Sequence, residues 1–233
     1  MDVAIHDPVV ACMATCQLFK QVEWQTIKLM AKEAKLNQMV RGQAIFQSGC
    51  CSSGLFVVKS GLVKLSILSP SGSERVIDVV SAGGIFGESL LFSDQKTKLN
   101  AEVLAKGELI EIPQKTVRQA VKRCPSLASA MLHYLSTKIC RLLAELENCC
   151  LRTARQRVVD YLLLLEREQA SDRLGHLQLP ASKGITASLL DITPETFSRE
   201  LNRLMGQGLI EVTRNQIQIL DIRGMQRASA EMD

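Results

Sequence analysis

The sequence predicts an α+β protein in three parts, on three observations. Between Gly42 and Pro113 short apolar runs are punctuated by glycines, a strand-and-turn composition that points to a small closed β-structure. After Pro125 apolar residues recur at alternating spacings of four and three, which makes one long helix with an apolar seam. Near the carboxyl end a capped amphipathic helix follows a second helix and precedes an alternating hairpin, the outline of a winged helix-turn-helix. The boundaries that go with these parts are 1–124 for N-terminal helices and β-roll, 125–150 for the long helix and 151–233 for the winged helix-turn-helix.

In chain order, strands are expected at Leu55–Val58, Leu62–Leu68, Arg75–Val80 and Glu108–Ile112, with Ser69-Pro70-Ser71-Gly72 as a turn. The seam of the long helix is Ala128, Leu132, Leu135, Ile139, Leu142, Leu146 and Cys149, the pattern of a two-stranded coiled coil over about three heptads. A homodimer through Leu132, Leu135, Ile139, Leu142, Leu146 and Cys149 is therefore expected, while Met131, Tyr134, Leu143 and Cys150 let part of the same helix pack on its own domain. Asn148–Thr153 reads as a hinge, followed by a helix through Val158–Leu165 and a strand at Leu177–Pro180.

The stretch Ile192–Leu204 carries most of the functional argument. Thr193 is a favoured N-cap, Pro194 suits the first helical position and Glu195 complements the positive end of the dipole. Phe197, Leu201 and Leu204 would bury one face, leaving Glu195, Ser198, Arg199 and Asn202 on the other. These types match base edges in the major groove: Arg bidentate to guanine, Glu to the cytosine amine, Ser to either. Thr196 and Arg203 flank that set. Ala181–Leu190 reads as the preceding helix, with Ser182 and Lys183 at its start and Leu190-Asp191-Ile192 as the tight turn. Leu209–Thr213 and Gln216–Leu220, joined across Arg214-Asn215, make the wing. Arg152, Arg155, Arg157, Lys183, Arg199, Arg203 and Arg214 are candidates for phosphate contacts. Double-stranded DNA is the expected partner.

Composition sets the bounds. At 233 residues, 46% hydrophobic and 22% charged, the chain fits a globular protein with one large or two ordinary domains. No apolar run approaches the roughly 20 residues that span a bilayer, and Met1–Asp7 lacks a secretion signal, so a cytoplasmic protein without a membrane partner is expected. A net charge of +4 leaves nucleic-acid binding to local clustering. No nucleophile elbow, metal-binding helix or phosphate loop is present, which speaks against an enzyme or a ligand-storage protein built on the β-domain. The 8 cysteines are expected as thiols in a reducing compartment. Cys149 on the seam and Cys150 beside it are candidate redox thiols, and so are Cys12 and Cys16, whose helical spacing supplies half a metal site. Thiol control without a cofactor is the alternative within a regulatory reading.

In this order of parts the chain resembles, along nearly its whole length, the family of the cyclic-AMP receptor protein and the fumarate-nitrate reduction regulator (CRP/FNR). The matching residues are Gly61 after the strand at Leu55, Phe86-Gly87-Glu88 with Leu91-Phe92, and Glu195-Thr-Phe-Ser-Arg199. The resemblance implies a cyclic-nucleotide-binding-like β-roll as sensor, RNA polymerase contacts on exposed loops such as Ser69–Ser73, and a TTGAT-like inverted repeat read by Glu195, Ser198 and Arg199. It places an effector pocket at Phe86, Gly87, Glu88, Lys98, Leu99 and His133. Lys98 and Leu99 stand where cyclic-nucleotide binders carry Arg and Ser or Thr; Lys lacks the planar fork and Leu the hydroxyl, so cyclic AMP is not expected. Only Cys12 and Cys16 lie near the start, and Ile110 stands at the fourth-ligand position of the oxygen sensor. Cys50 and Cys51 do not evidently complete four workable thiolates, so an iron-sulfur cluster is not expected. Leu135-Ser-Thr-Lys138, Arg157-Val-Val-Asp-Tyr-Leu-Leu163 and Pro194-Glu-Thr-Phe-Ser-Arg199 resemble the dissimilatory nitrate respiration regulators. That branch implies nitric-oxide sensing through haem, for which His6, His133 and His176 are the available imidazoles.

Overall fold

The computed structural model describes residues 7–51, 53–93, 95–169, 176–214 and 216–230. His6 and Asn215 lie outside the described residues. The chain forms two compact units, Met1–Cys140 and Arg141–Asp233. Among the described residues no helix is long and apolar enough to cross a membrane.

The first unit opens with α1 (Pro8–Thr15), which starts where it does because Asp7 accepts from the Val9 amide at 2.9 Å and Pro8 takes the first helical position. After α2 (Trp24–Glu33) come β1 (Lys35–Met39), β2 (Ala44–Phe46), β3 (Gly54–Leu68), β4 (Glu74–Ser81), β5 (Ile85–Phe86) and β6 (Asn100–Pro113). They form one antiparallel sheet in the order β1-β6-β3-β4, with β2 on β6 and β5 on β3.

The two strands expected at Leu55–Val58 and Leu62–Leu68 are one. Gly61, at φ 91°, is a bulge rather than a turn: the β3–β6 ladder shifts register around it, and a Cβ there would lie 2.7 Å from the Ala105 carbonyl oxygen. The strand expected from Glu108 begins at Asn100, because β6 accompanies β3 on both sides of that bulge.

Alternation along β3 feeds two cores. Phe56, Val58, Val63 and Leu65 join Met39, Val80, Phe86 and Leu109, where the Phe56 and Phe86 rings stack at 4.9 Å between centroids. Leu55 and Val57 join Ile110 and Ile112 against α1, α2, α3 (Gln114–Arg123) and the first turns of α4 (Pro125–Leu151), which contribute Leu127 and Met131. The expected seam runs along the rest of α4. Leu132, Ile139, Leu142 and Leu146 are exposed and Leu135 is half-buried.

In the second unit, a reciprocal cap starts α5 (Ala154–Gln169): the Gln156 amide donates to Thr153 Oγ1 at 3.3 Å while Gln156 Oε1 accepts from the Thr153 amide at 3.0 Å. Then follow β7 (His176–Gln178), α6 (Lys183–Leu189), α7 (Pro194–Gly206), β8 (Ile210–Thr213), β9 (Gln216–Ile219) and α8 (Ile222–Ala230). The wing hairpin is present, but as part of a three-stranded sheet, β7-β9-β8, since His176–Gln178 adds a third strand to it. Val158, Leu162, Phe197, Leu201, Leu204, Ile217 and Met225 lie in its core. The composition gave no sign of α3 or α8.

Candidate functional site

The helix α7 begins at Pro194, as read from the sequence. Thr193 Oγ1 accepts from the Thr196 amide at 3.2 Å, so Thr193 is the cap and Pro194 the first helical residue. Phe197, Leu201 and Leu204 are buried, which anchors α7 and turns Glu195, Ser198, Arg199, Asn202 and Arg203 to solvent. Arg199 is 69% exposed at its side chain. Its Nη2 donates to Thr196 Oγ1 at 3.4 Å, so the half-buried Thr196 steadies the arginine. The Glu195 carboxyl is held below its ordinary value by its own backbone amide and then by the Thr193 hydroxyl. The sequence did not single out Glu200. Its side chain is buried beside Arg199 Nε, 3.8 Å away, and Arg203 Nη1, 4.0 Å away. An acid between Phe197 and Leu201 on the inward edge of the helix was the signal for it.

On α6, the Ser182 hydroxyl is the N-cap, accepting from the Ile185 amide at 3.4 Å, and Lys183 is half-buried at the first helical position. Three of the arginines read as candidates for phosphate contacts have protein partners. Arg152 Nη1 donates to the Ser229 carbonyl at 3.2 Å, and Arg155 Nη2 to Gln207 Oε1 at 2.8 Å. Arg157 has the most: its guanidinium donates to the carbonyls of Arg152, Leu190 and Asp191. These carbonyls stand at helix ends, where backbone acceptors lack partners.

In the first unit, Phe86 lies in the aromatic stack, and Gly87 at φ 88° brings its backbone against Gly54, where a Cβ would meet the carbonyl oxygen at 2.7 Å. Glu88 follows, nearly buried. Lys138 of α4 lies 3.8 Å from Glu88 and 3.3 Å from Asp78, and the Tyr134 hydroxyl donates to the Ile85 carbonyl at 3.3 Å. Burial pushes the Glu88 carboxyl up, and the Asp78 charge adds to this against Lys138 and the Glu88 amide. Asp78, Tyr134 and Lys138 are functional candidates that sequence patterning missed, because Asp78 comes from β4 and meets Tyr134 and Lys138 of α4 only through tertiary packing. Lys98 and His133 are exposed and Leu99 is half-buried; among the described residues no hydrogen bond or ion pair joins them to Glu88. The hydroxyl of that segment belongs to buried Thr97, which accepts from the Leu99 amide at 3.0 Å.

All eight cysteines are thiols rather than disulfides. Cys16 donates to the Cys12 carbonyl at 3.3 Å, and burial pushes its pKa up to about 12 and that of Cys12 upward as well. The thiolate that binds metal or attacks an oxidant is thereby disfavoured at both. Among the described residues no group of three or more His, Cys, Asp or Glu is placed to hold a metal. Cys149 is half-buried and Cys150 exposed in the last turn of α4.

Comparison with known proteins agrees with both units. Residues 36–124 match the cyclic nucleotide-binding domain and residues 156–228 the Crp-like helix-turn-helix domain. The global nitrogen regulator of Synechococcus elongatus is 26% identical over 80% of this chain and 86% of its own length. The fumarate and nitrate reduction regulatory protein of Salmonella typhimurium is 24% identical over 77% of this chain and 72% of its own. The chain belongs to the CRP/FNR family of transcription regulators. The fold of FixK2 from Bradyrhizobium japonicum superimposes with a TM-score of 0.76, at 21% identity, over 86% of this chain and 99% of that one. As a CRP/FNR-type DNA-binding regulator, the chain thus has its helix-turn-helix in α6 and α7, and its cyclic-nucleotide-binding-type roll in β1–β6.

Proposed function

We propose that this CRP/FNR regulator acts as a homodimer that reads a TTGAT-like inverted repeat through Glu195, Ser198 and Arg199, under an effector acting where the β-roll meets α4. The observation that carries the reading is the exposed polar face of α7, with Arg199 69% exposed at its side chain above a fully packed inner face. A side chain so presented is free to make the bidentate contact to guanine that specifies a base pair.

Dimerisation is supported by α4. Leu132, Ile139, Leu142 and Leu146 are 53–67% exposed along one stripe, an apolar surface that a second copy would cover. Effector control is then a shift between states that differ in how Tyr134 and Lys138 engage Ile85, Asp78 and Glu88. The exposed Ser69–Ser73 turn is the surface proposed for RNA polymerase. For haem, the described residues of the first unit offer one histidine, His133, exposed on α4, and His176 belongs to the second unit. A single exposed imidazole does not make a fit for haem.

The test is Arg199→Ala in the full chain, titrated against a TTGAT inverted-repeat duplex and a scrambled duplex of equal length. Specific affinity should fall by about 5- to 150-fold per half-site while scrambled-duplex binding and the sedimenting dimer are unchanged. Undiminished discrimination by that variant would falsify the assignment of α7.

A further inference from the structure

Two helices of the second unit end on one side chain. Arg157, in the first turn of α5, donates from Nε to the carbonyl of Arg152, just past the end of α4, at 3.1 Å. Its Nη1 donates to the carbonyls of Leu190 and Asp191 at 3.0 Å each, and lies 3.9 Å from Asp191 Oδ2. The side chain is 17% exposed, so its charge is turned inward rather than to a phosphate. Leu190 is the C-cap of α6, and Asp191 is held at φ 55°, a left-handed conformation uncommon outside glycine. Two residues later Thr193 caps α7.

The carbonyls at a helix C-terminus lack intrahelical partners and carry the negative end of the dipole, so a cation there completes both demands. Arg157 completes them for α4 and α6 at once. The planar guanidinium suits this because Nε and Nη1 donate in different directions; a lysine ammonium is a single point and does not span both. At its other end α7 is tied to the same helix, through Arg155 Nη2 and Gln207 Oε1 at 2.8 Å.

We infer that Arg157 is the positioning residue that couples the break between α4 and α5 at Arg152–Thr153, the last two residues of the expected Asn148–Thr153 hinge, to the turn that launches the reading helix. A change in the backbone where α4 gives way to α5 is passed through one guanidinium to Leu190 and Asp191, and so to the direction in which α7 presents Arg199. This role rests on α7 being the DNA-reading helix as proposed above.

The experiment compares full-length Arg157→Gln and Arg157→Lys with wild type and with Arg199→Ala. Each is titrated with the TTGAT inverted-repeat and scrambled duplexes over a salt series, and backbone hydrogen exchange is followed without DNA. With Arg157→Gln, affinity for the repeat should fall about tenfold or more at an unchanged salt slope. The amides of Asp191 and Ile192, which bond to the carbonyls of Ser188 and Ala187, should exchange faster, while those of Leu201 and Leu204 inside α7 stay protected. Arg157→Lys should recover only part of the affinity. A salt slope shallower by about 1 per lost contact, with turn exchange as in wild type, would make Arg157 a phosphate contact and overturn the inference. If Arg157→Gln loses protection throughout α7, Arg157→Lys decides: faster turn exchange supports the coupling and wild-type exchange overturns it. Should Arg199→Ala also bind the repeat normally, the reading of α7 fails, while the exchange data still judge the role of Arg157 in the turn.

Discussion

The β-roll and the DNA-binding unit each enclose a cation, and they partner it differently. In the roll, Lys64 is 8% exposed and its ammonium lies between Glu74 at 2.8 Å and Glu102 at 2.9 Å. In the helical unit Arg157 bonds to three backbone carbonyls. Lys64 faces Glu102 directly across β3 and β6, so its network exists only in one register; a slip of one residue would carry Glu102 to the other face. The hydrogen bonds of Arg157 go to backbone carbonyls, with the Asp191 carboxylate 3.9 Å away as the one side-chain charge of the turn beside it. One cation therefore fixes how strands pair, and the other fixes how helices follow one another.

The largest effect that would sharpen this contrast is at the sheet. Lys64→Ala removes the shared partner of two glutamates; burial alone would lower the Lys64 pKa, but the hydrogen bonds it donates to Glu74 and Glu102, and their charges, raise it on balance. Breaking a fully buried pair costs about 3–5 kcal/mol, but the glutamate side chains are 39% and 40% exposed, so a loss of about 2–3 kcal/mol is expected. Urea unfolding at constant m-value measures it. A loss below about 0.5 kcal/mol, the scale of a surface pair, would show that water serves the glutamates as well as Lys64 does, and the register would need another guardian.

How much of this was legible in the sequence follows the same division. Contacts within one helix are written in consecutive residues, so Thr193, Pro194, the inner face of Phe197, Leu201 and Leu204, and the outer Glu195, Ser198 and Arg199 were readable from spacing alone. The exposed leucines and Ile139 of α4 were readable for the same reason, whereas Leu135, expected with them, packs on the core of the first unit. The long strand β3 was misread as two because glycine signals a turn and a bulge alike, and only the partner strand decides between them. Asp78, Tyr134 and Lys138 come together from β4 and α4 through tertiary packing, which no local period records. The carbonyl partners of Arg157 were not legible because arginines beside a helix-turn-helix have the composition of a phosphate clamp, and backbone carbonyl partners leave no trace in residue type.

A smaller effect tests the local end of the comparison. Thr193→Ala removes the acceptor for the Thr196 amide and should cost about 1 kcal/mol, the usual worth of an N-cap. The loss should be confined to the first turn of α7, seen as faster exchange at Thr196 with Leu204 still protected. It should also let the Glu195 carboxyl rise, since Thr193 is one of the groups holding it down. If the exchange change instead spread to Asp191 and Ile192, the cap and the Arg157 turn would be one structure, and the division between local and carbonyl-held contacts would fail.

The smallest effect concerns Glu88, where the roll encloses an acid under α4. Burial raises its folded pKa above the unfolded value of about 4.3, with Asp78 adding and Lys138 and the Glu88 amide opposing. A group raised in this way favours the fold fully only below its unfolded pKa, and that contribution is lost as pH rises through the folded value. The stability of wild type minus that of Glu88→Gln should therefore fall with rising pH across this interval and then level off. Glu74 and Glu108, whose carboxyls are held low by Lys64 and Lys59, bend the pH profile the opposite way but are common to both proteins and cancel in the difference. Paired thermal melts from acid to neutral pH measure the difference. A difference that grows with pH would mean that Lys138, 3.8 Å away, outweighs burial at Glu88. The acid under α4 would then be held by its ion pair as Lys64 is, and the contact between Glu88 and α4 would belong with the charge-registered sheet rather than form a titratable contact of its own.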